Sequence, residues 1–211
     1  MTEKRYYSYD QIHRLIKESV EKHDLREGWK PDVILAIGGG GFIPARILRT
    51  FLKRPDNRSV PIQAVGLRLY EELESGESRM GDKVVRTQWL HFGEGEEEAA
   101  AAALVGKRIL IVDEVDDTRT TLAYAVLELQ KDLERLARLR GLEGFGGTKI
   151  GVFVVHNKLK PKRAELPVEV DYFSAEDVKD AWCVYPWDVE DIEEHTRIAN
   201  EKVRGVESAT N

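Results

Sequence analysis

The sequence predicts an α/β protein built on a central, mostly parallel sheet flanked by helices. Three observations carry that expectation. A strand, a glycine loop and a helix follow one another from Val33 to Lys53, and the same grammar returns in altered form from Arg108 onward. The apolar runs at those strands are continuous rather than alternating, as suits strands buried on both faces. The chain has 211 residues, enough for one compact domain with a sizeable core.

The elements follow in order. The first 30 residues read as a helix, with Ser8 and Gln11 as a capping box ahead of Ile12, Leu15, Ile16 and Val20 at helical spacing. Pro31-Asp32 opens the strand Val33–Ile37, which Gly38–Gly41 ends. Phe42 to Lys53 then forms a helix that tolerates Pro44 in its first turn. Val60 to Tyr70 reads as a strand, Glu71 to Gly81 as a mobile loop, and Lys83 to Leu90 as strand again. Gly93 to Ala103, acidic and then alanine-rich, is expected to be a solvated surface insertion. The strand Arg108–Val112 runs into an acidic and threonine-bearing loop. A long helix follows, with Leu122, Val126, Leu129, Leu133 and Leu136 on one stripe, ended by Gly141 to Gly147. Lys149 to Val155 is a further buried strand before the basic loop His156–Arg163, and Asp191 to Lys202 closes the chain as a helix.

Composition excludes several classes. Apolar residues make up 42% and charged residues 33%, as in soluble globular proteins. No apolar run approaches the roughly 20 residues of a membrane span, and the polar start, Met1 to Asp10, does not resemble a secretory signal. The single cysteine, Cys183, forms neither an internal disulfide nor a cysteine cage, so a cytoplasmic setting is expected. The net charge of −6 argues against duplex DNA as a partner.

In an open α/β sheet ligands bind beyond the carboxyl ends of the strands. Three unusual loops fall there: the four glycines, the acidic loop and the basic loop. The glycines match neither the dinucleotide fingerprint nor the phosphate loop ending in Gly-Lys-Ser/Thr, but they free backbone N–H groups to approach an anion. After Val112 come four carboxylates in five positions, Asp113, Glu114, Asp116 and Asp117, then Thr118, Thr120 and Thr121 at a helix start. One such residue would cap a helix. Four like charges are costly without a ligand or cation, whereas a helix N-terminus suits a phosphate.

The run Ile109–Thr121 resembles the phosphoribosyl-pyrophosphate (PRPP) signature of type I phosphoribosyltransferases. The resemblance extends from about Tyr6 to Ala199. It is closest to the fungal xanthine and hypoxanthine-guanine enzymes through Gly38 to Arg49, Arg86–Leu90, His156–Arg163 and Tyr185–Asp188, and leans to the xanthine branch at Asp191–Thr196. It implies one domain over residues 1–211, with a small hood from parts of the N-terminus and residues about 156–200. It further implies transfer of phosphoribose from PRPP to N9 of a 6-oxopurine with Mg²⁺, xanthine favoured, in a homodimer that needs neither nucleic acid nor membrane.

The resemblance also implies roles. Asp113, Glu114, Asp116, Asp117, Thr118, Arg119, Thr120 and Thr121 bind PRPP, the acidic pair taking the ribose diol and Asp117 to Thr121 the 5-phosphate. Asp117 is the general base. Gly38, Gly39 and Gly40 form the pyrophosphate loop, which in the family contains a non-proline cis peptide. Lys158, with His156 as a rival, reaches the 6-oxo group; Trp182 stacks on the base beside Cys183. Asp188, with Asp113 and Glu114, serves the metal, and Tyr70 starts the lid. Arg119 stands where the family often has glycine, leaving open an added phosphate contact or an outward-pointing side chain. The alternative from another class is a regulator that senses PRPP or nucleotide on the same fold without turnover.

Overall fold

The computed structural model describes residues 3–53, 58–72, 78–90 and 103–209. Helix α1 (Tyr9–Lys22) begins with the predicted capping box: Gln11 N donates to Ser8 Oγ (3.3 Å) and Ser8 N donates to Gln11 Oε1 (2.9 Å). It does not run to residue 30. A single π-turn, Leu25–Trp29, follows, entered through Asp24 (φ 46°) and left through Lys30 (φ 52°). Left-handed residues at both ends break the helix on either side. Ahead of α1 lies a short strand, β1 (Lys4–Tyr6), which no apolar pattern announces.

The main sheet has six strands. β2 (Val33–Ile37) is flanked by β3 (Ile62–Glu72) on one side and β5 (Arg108–Asp116) on the other. Beyond β3 comes β4 (Ser78–Gln88). Beyond β5 come β6 (Lys149–Lys158) and β7 (Asp171–Val178). Every pairing is parallel except β3 with β4. Residues 71–72 and 78–81, expected as loop, are strand, and Tyr70 lies within β3; residues 73–77 of that loop lie outside the described residues. The same holds for residues 93–102 of the acidic and alanine-rich segment.

Alternation along β2 and β5 sorts the core into two layers. Val33, Leu35, Ile37, Ile109 and Ile111 face helix α3 (Thr120–Leu139), whose Leu122, Val126, Leu129, Leu133 and Leu136 all lie in the core. Ile34, Ala36, Leu110 and Val112 face the other way, against α1 and helix α2 (Phe42–Phe51). Both faces of β2 are therefore covered, which is why its five residues are all apolar and buried. A second sheet pairs β1 with β8 (Trp182–Val184) in parallel, beside a 3₁₀ turn at Pro186–Asp188. Helix α4 (Ile192–Ala209) follows. His195 from α4 is buried, its Nε2 2.8 Å from the Tyr7 carbonyl oxygen, and ties the helix to the end of β1. Among the described residues no helix is long and apolar enough to cross a membrane.

Leu129 is wholly enclosed between α3 and the sheet. Leu129→Ala is expected to lower unfolding stability by about 2–5 kcal/mol in denaturant titration, from lost transfer energy plus the cavity left behind.

Candidate active site at the carboxyl edge of the sheet

Strand order reverses at β2: the chain leaves it first towards β3 and later fills β5 on the opposite side. The crevice at such a switch point is where open α/β sheets bind ligands. Gly38–Gly41 leaves β2 there, between neighbours in parallel register (Ala36 opposite Val112). The glycine loop requires its composition. Gly39 takes φ +94°, and a Cβ on Gly41 would strike the carbonyl oxygens of Val112 and Ile37. A Cβ on Gly40 would overlap the Glu114 carboxylate. The acidic segment and the glycine loop thus line one cleft. No peptide bond among the described residues is cis, so the loop turns through the positive φ of Gly39 instead of the cis bond that the resemblance implied.

The acidic residues do not leave the sheet after Val112 as expected. β5 continues to Asp116 because β6 continues beside it, pairing Asp113 with Val154 and Asp116 with Asn157. This fixes the directions of the carboxylates. Asp113 is buried and its Oδ1 accepts the Glu114 N–H (3.0 Å). Burial, then the neighbouring Glu114 charge, push the Asp113 carboxyl well above the usual range. Glu114 Oε2 is buried with no hydrogen-bond partner. Asp188, on the 3₁₀ turn, is raised by burial and then by Glu114, which places it within the same field. Among the described residues no group of three or more His, Cys, Asp or Glu side chains is arranged to hold a metal ion by itself.

Asp117 is the first residue past β5 and remains 45% exposed. Lys158 Nζ at the end of β6 stands 3.3 Å from its Oδ1 and Lys160 Nζ 2.5 Å, while Lys160 also reaches Asp180 Oδ1 at 3.0 Å. Burial works to raise the Asp117 carboxyl, but the two ammonium groups outweigh it and hold the carboxyl below its usual range. Beyond Asp117, Thr118 Oγ1 and Thr120 Oγ1 meet at 3.0 Å where α3 begins. The N-terminal N–H groups of a 20-residue helix open there.

Of the two candidates for the 6-oxo contact, only Lys158 stands beside Asp117. His156 is fully enclosed, with Nδ1 2.8 Å from the Tyr185 hydroxyl and its ring 4.0 Å from that of Tyr7. The Tyr185 hydroxyl in turn donates to the Glu114 carbonyl (3.2 Å), and the Tyr185 ring stacks on Trp187 at 4.8 Å. His156 thus serves the scaffold under Glu114. Trp182 is 62% exposed and leaves an aromatic face open. Cys183 is half-buried; burial raises its thiol, with Lys158 the first group opposing. Arg119 does not point outward. Its guanidinium turns onto the buried Asp116, Nε at 2.9 Å and Nη2 at 2.8 Å from Oδ2. Lys160, Lys162, Tyr172 and Asp180 complete the surroundings, and the sequence alone did not single them out. The basic loop and the acidic segment were both visible, but not which lysine would meet which carboxylate.

The fold agrees with the comparisons. A model of the phosphoribosyl transferase domain matches residues 4–192. The chain belongs to that family. It is 54% identical over 195 residues to the hypoxanthine-guanine phosphoribosyltransferase of Schizosaccharomyces pombe, covering 90% of this chain and 91% of that protein. It is 49% identical over 203 residues to xanthine phosphoribosyltransferase 1 of Saccharomyces cerevisiae, covering 93% and 95% respectively. Among solved structures, a hypothetical protein from Neisseria gonorrhoeae with bound ppGpp is 40% identical with a TM-score of 0.75, covering 96% of this chain and 98% of that one.

Two outcomes follow from the geometry. Gly40→Ala should leave the fold intact by circular dichroism yet displace Glu114, and PRPP binding measured by calorimetry should fall at least tenfold, as when a hydrogen bond to a charged group is lost. Lys160→Met removes one of the ammonium groups that lower Asp117. The carboxyl should then titrate at higher pH in an NMR titration, and so lose its charge sooner as pH falls.

Proposed function

We propose that this protein transfers the 5-phosphoribosyl group of PRPP to N9 of a 6-oxopurine, with xanthine the favoured base and hypoxanthine and guanine also accepted. The observation that carries the reading is the Glu114 carboxylate lying against Gly40. It joins a sugar-binding acidic pair to an anion-binding loop in one cleft, as a sugar diphosphate requires.

The roles follow from position. The 5-phosphate sits on the N–H groups and hydroxyls of Asp117, Thr118, Thr120 and Thr121, at the positive end of α3. Asp113 and Glu114 take the ribose diol. The Gly38–Gly40 backbone receives the pyrophosphate, whose growing charge it stabilises as the bond from C1 to the leaving oxygen breaks and the bond from C1 to N9 forms. Asp117 accepts the purine proton near N7; proton transfer of this kind contributes roughly 10²–10⁴ in rate. For that it must be ionised, and Lys158 and Lys160 keep it so. Lys158 then donates to the 6-oxo oxygen and Trp182 covers the base, with Cys183 in the pocket wall. Tyr70 belongs to the segment that closes over the reaction.

The residues present suit a divalent cation, Mg²⁺ in this reading. Asp113 is raised by burial and by its neighbour, and Glu114 Oε2 is buried without a partner, so the pair lacks positive charge. When bound, the ion neutralises the departing diphosphate. Asp113 and Glu114 would hold it together with substrate oxygens, and Asp188 through water; this accords with a site that is not an all-protein cage. The proposed enzyme is a cytoplasmic homodimer that takes PRPP and the free base, with neither nucleic acid nor membrane as partner.

Pyrophosphate release from PRPP and Mg²⁺ with each of the three bases tests the proposal. Turnover is expected with all three and the highest kcat/KM with xanthine; no release with any would overturn it. Chelation should abolish turnover and Mg²⁺ restore it. Asp117→Asn should still bind nucleotide but lose roughly 10²–10⁴ of kcat; near-normal kcat would remove Asp117 from its role.

A further inference from the structure

Behind the loop that starts α3 lies a charged cluster that the reaction does not use. Asp116 is buried at the end of β5, its side chain closed to solvent. Arg119 binds its Oδ2 through Nε (2.9 Å) and Nη2 (2.8 Å). The Tyr172 hydroxyl, from β7, donates to the same oxygen at 2.8 Å, and the Arg119 guanidinium lies over the Tyr172 ring at 4.8 Å. Lys162 Nζ stands 3.3 Å from the other oxygen, Oδ1. It also donates to the main-chain carbonyls of Asp116 (2.8 Å), Asp117 (3.2 Å) and Lys158 (2.9 Å). Arg163 N donates to the Thr118 carbonyl at 3.0 Å. Four consecutive residues, Asp116 at the end of β5 and Asp117 to Arg119 after it, are thereby fastened by groups on β7 and on the connection after β6.

The backbone says why such fastening is needed. Arg119 holds φ +68°, a left-handed conformation that an L side chain adopts at a cost and glycine adopts freely. An arginine persists there only if the surroundings over-determine it. Here they do, through a two-nitrogen ion pair and a ring stack that only a planar guanidinium makes together. Arg119 and Lys162 both face the Asp116 carboxylate, one on each oxygen.

We propose that Asp116, Arg119, Tyr172 and Lys162 are positioning residues that pre-form the 5-phosphate cradle, acting through the loop and not by touching the phosphate. The inference rests on the reading of Asp117 to Thr121 as that cradle. A pre-formed cradle binds PRPP without first ordering its N–H groups, so the cluster governs PRPP affinity and leaves the chemical step and the base site alone.

Steady-state kinetics on four variants tests it. Arg119→Gly fits the backbone but loses the ion pair. Its KM for PRPP should rise roughly tenfold, the effect of losing a hydrogen bond to a charged group, while kcat and the KM for the base stay near wild type. Tyr172→Phe and Lys162→Met, which remove one partner each, should raise the KM for PRPP in the same sense. Arg119→Lys keeps the charge but not the planar two-nitrogen pairing, and should resemble Arg119→Gly. Three results would overturn the inference: an unchanged KM for PRPP in Arg119→Gly, with loss only of melting temperature; equal losses in kcat and in the KM of both substrates; or Arg119→Lys behaving as wild type while Tyr172→Phe and Lys162→Met have no effect, which would mean direct contact with phosphate. Wild-type turnover is the control. Its absence would overturn the proposed function, whereas normal turnover with an unmoved KM for PRPP in Arg119→Gly would overturn this inference alone.

Discussion

The close approach of the Glu114 carboxylate to Gly40 is the constraint on which the site depends. A side chain at residue 40 would displace the Glu114 carboxylate from the loop after β2. The approach exists because β2 and β5 are parallel neighbours and because β5 continues past its apolar stretch, which sets Glu114 level with the loop. Two carboxyl groups, the buried Asp113 and Glu114 with its unpartnered Oε2, then meet at the end of β5. An unbalanced carboxylate pair is costly, and a fold that retains it is set up for a ligand that completes it.

The same edge carries its compensation unevenly. Asp117 is balanced by Lys158 and Lys160, and Asp116 by Arg119 and Lys162, so each of these carboxylates lies beside an ammonium or guanidinium. The Asp113–Glu114 pair meets instead the carbonyl-bound Tyr185 and, nearby, Asp188. Neighbouring carboxylates at one strand end thus differ in chemistry because the groups around them differ. His156 contributes from the interior. Burial lowers its imidazole, and it supports Tyr185, whose hydroxyl holds the Glu114 carbonyl.

Much of this was legible in the sequence where the local signal and the tertiary outcome share a cause. Val33–Ile37 is apolar throughout because both faces of β2 are covered, and Ser8 with Gln11 caps a helix through their own side chains. The four glycines and the clustered carboxylates pointed to one another's chemistry before any geometry was known. Elements that owe their existence to distant partners were not legible. β1 forms by pairing with β8 far along the chain, and β7 is a half-exposed edge strand of mixed polarity that resembles a loop. The ends of β5 and β6 are polar yet stay extended, because parallel pairing between them persists beyond the apolar residues. For the same reason Arg119 could be read only as an oddity in a phosphate loop until Asp116 and Tyr172 were found against it.

The central claim, that one cleft receives an intact sugar diphosphate, is tested most directly by a crystal structure of the protein with PRPP and Mg²⁺ and no base. The ribose diol is expected at Asp113 and Glu114, the 5-phosphate on the first N–H groups of α3, and the pyrophosphate against Gly38 to Gly40. PRPP located elsewhere, or bound with Glu114 swung away from Gly40 and the glycine loop empty, would contradict it.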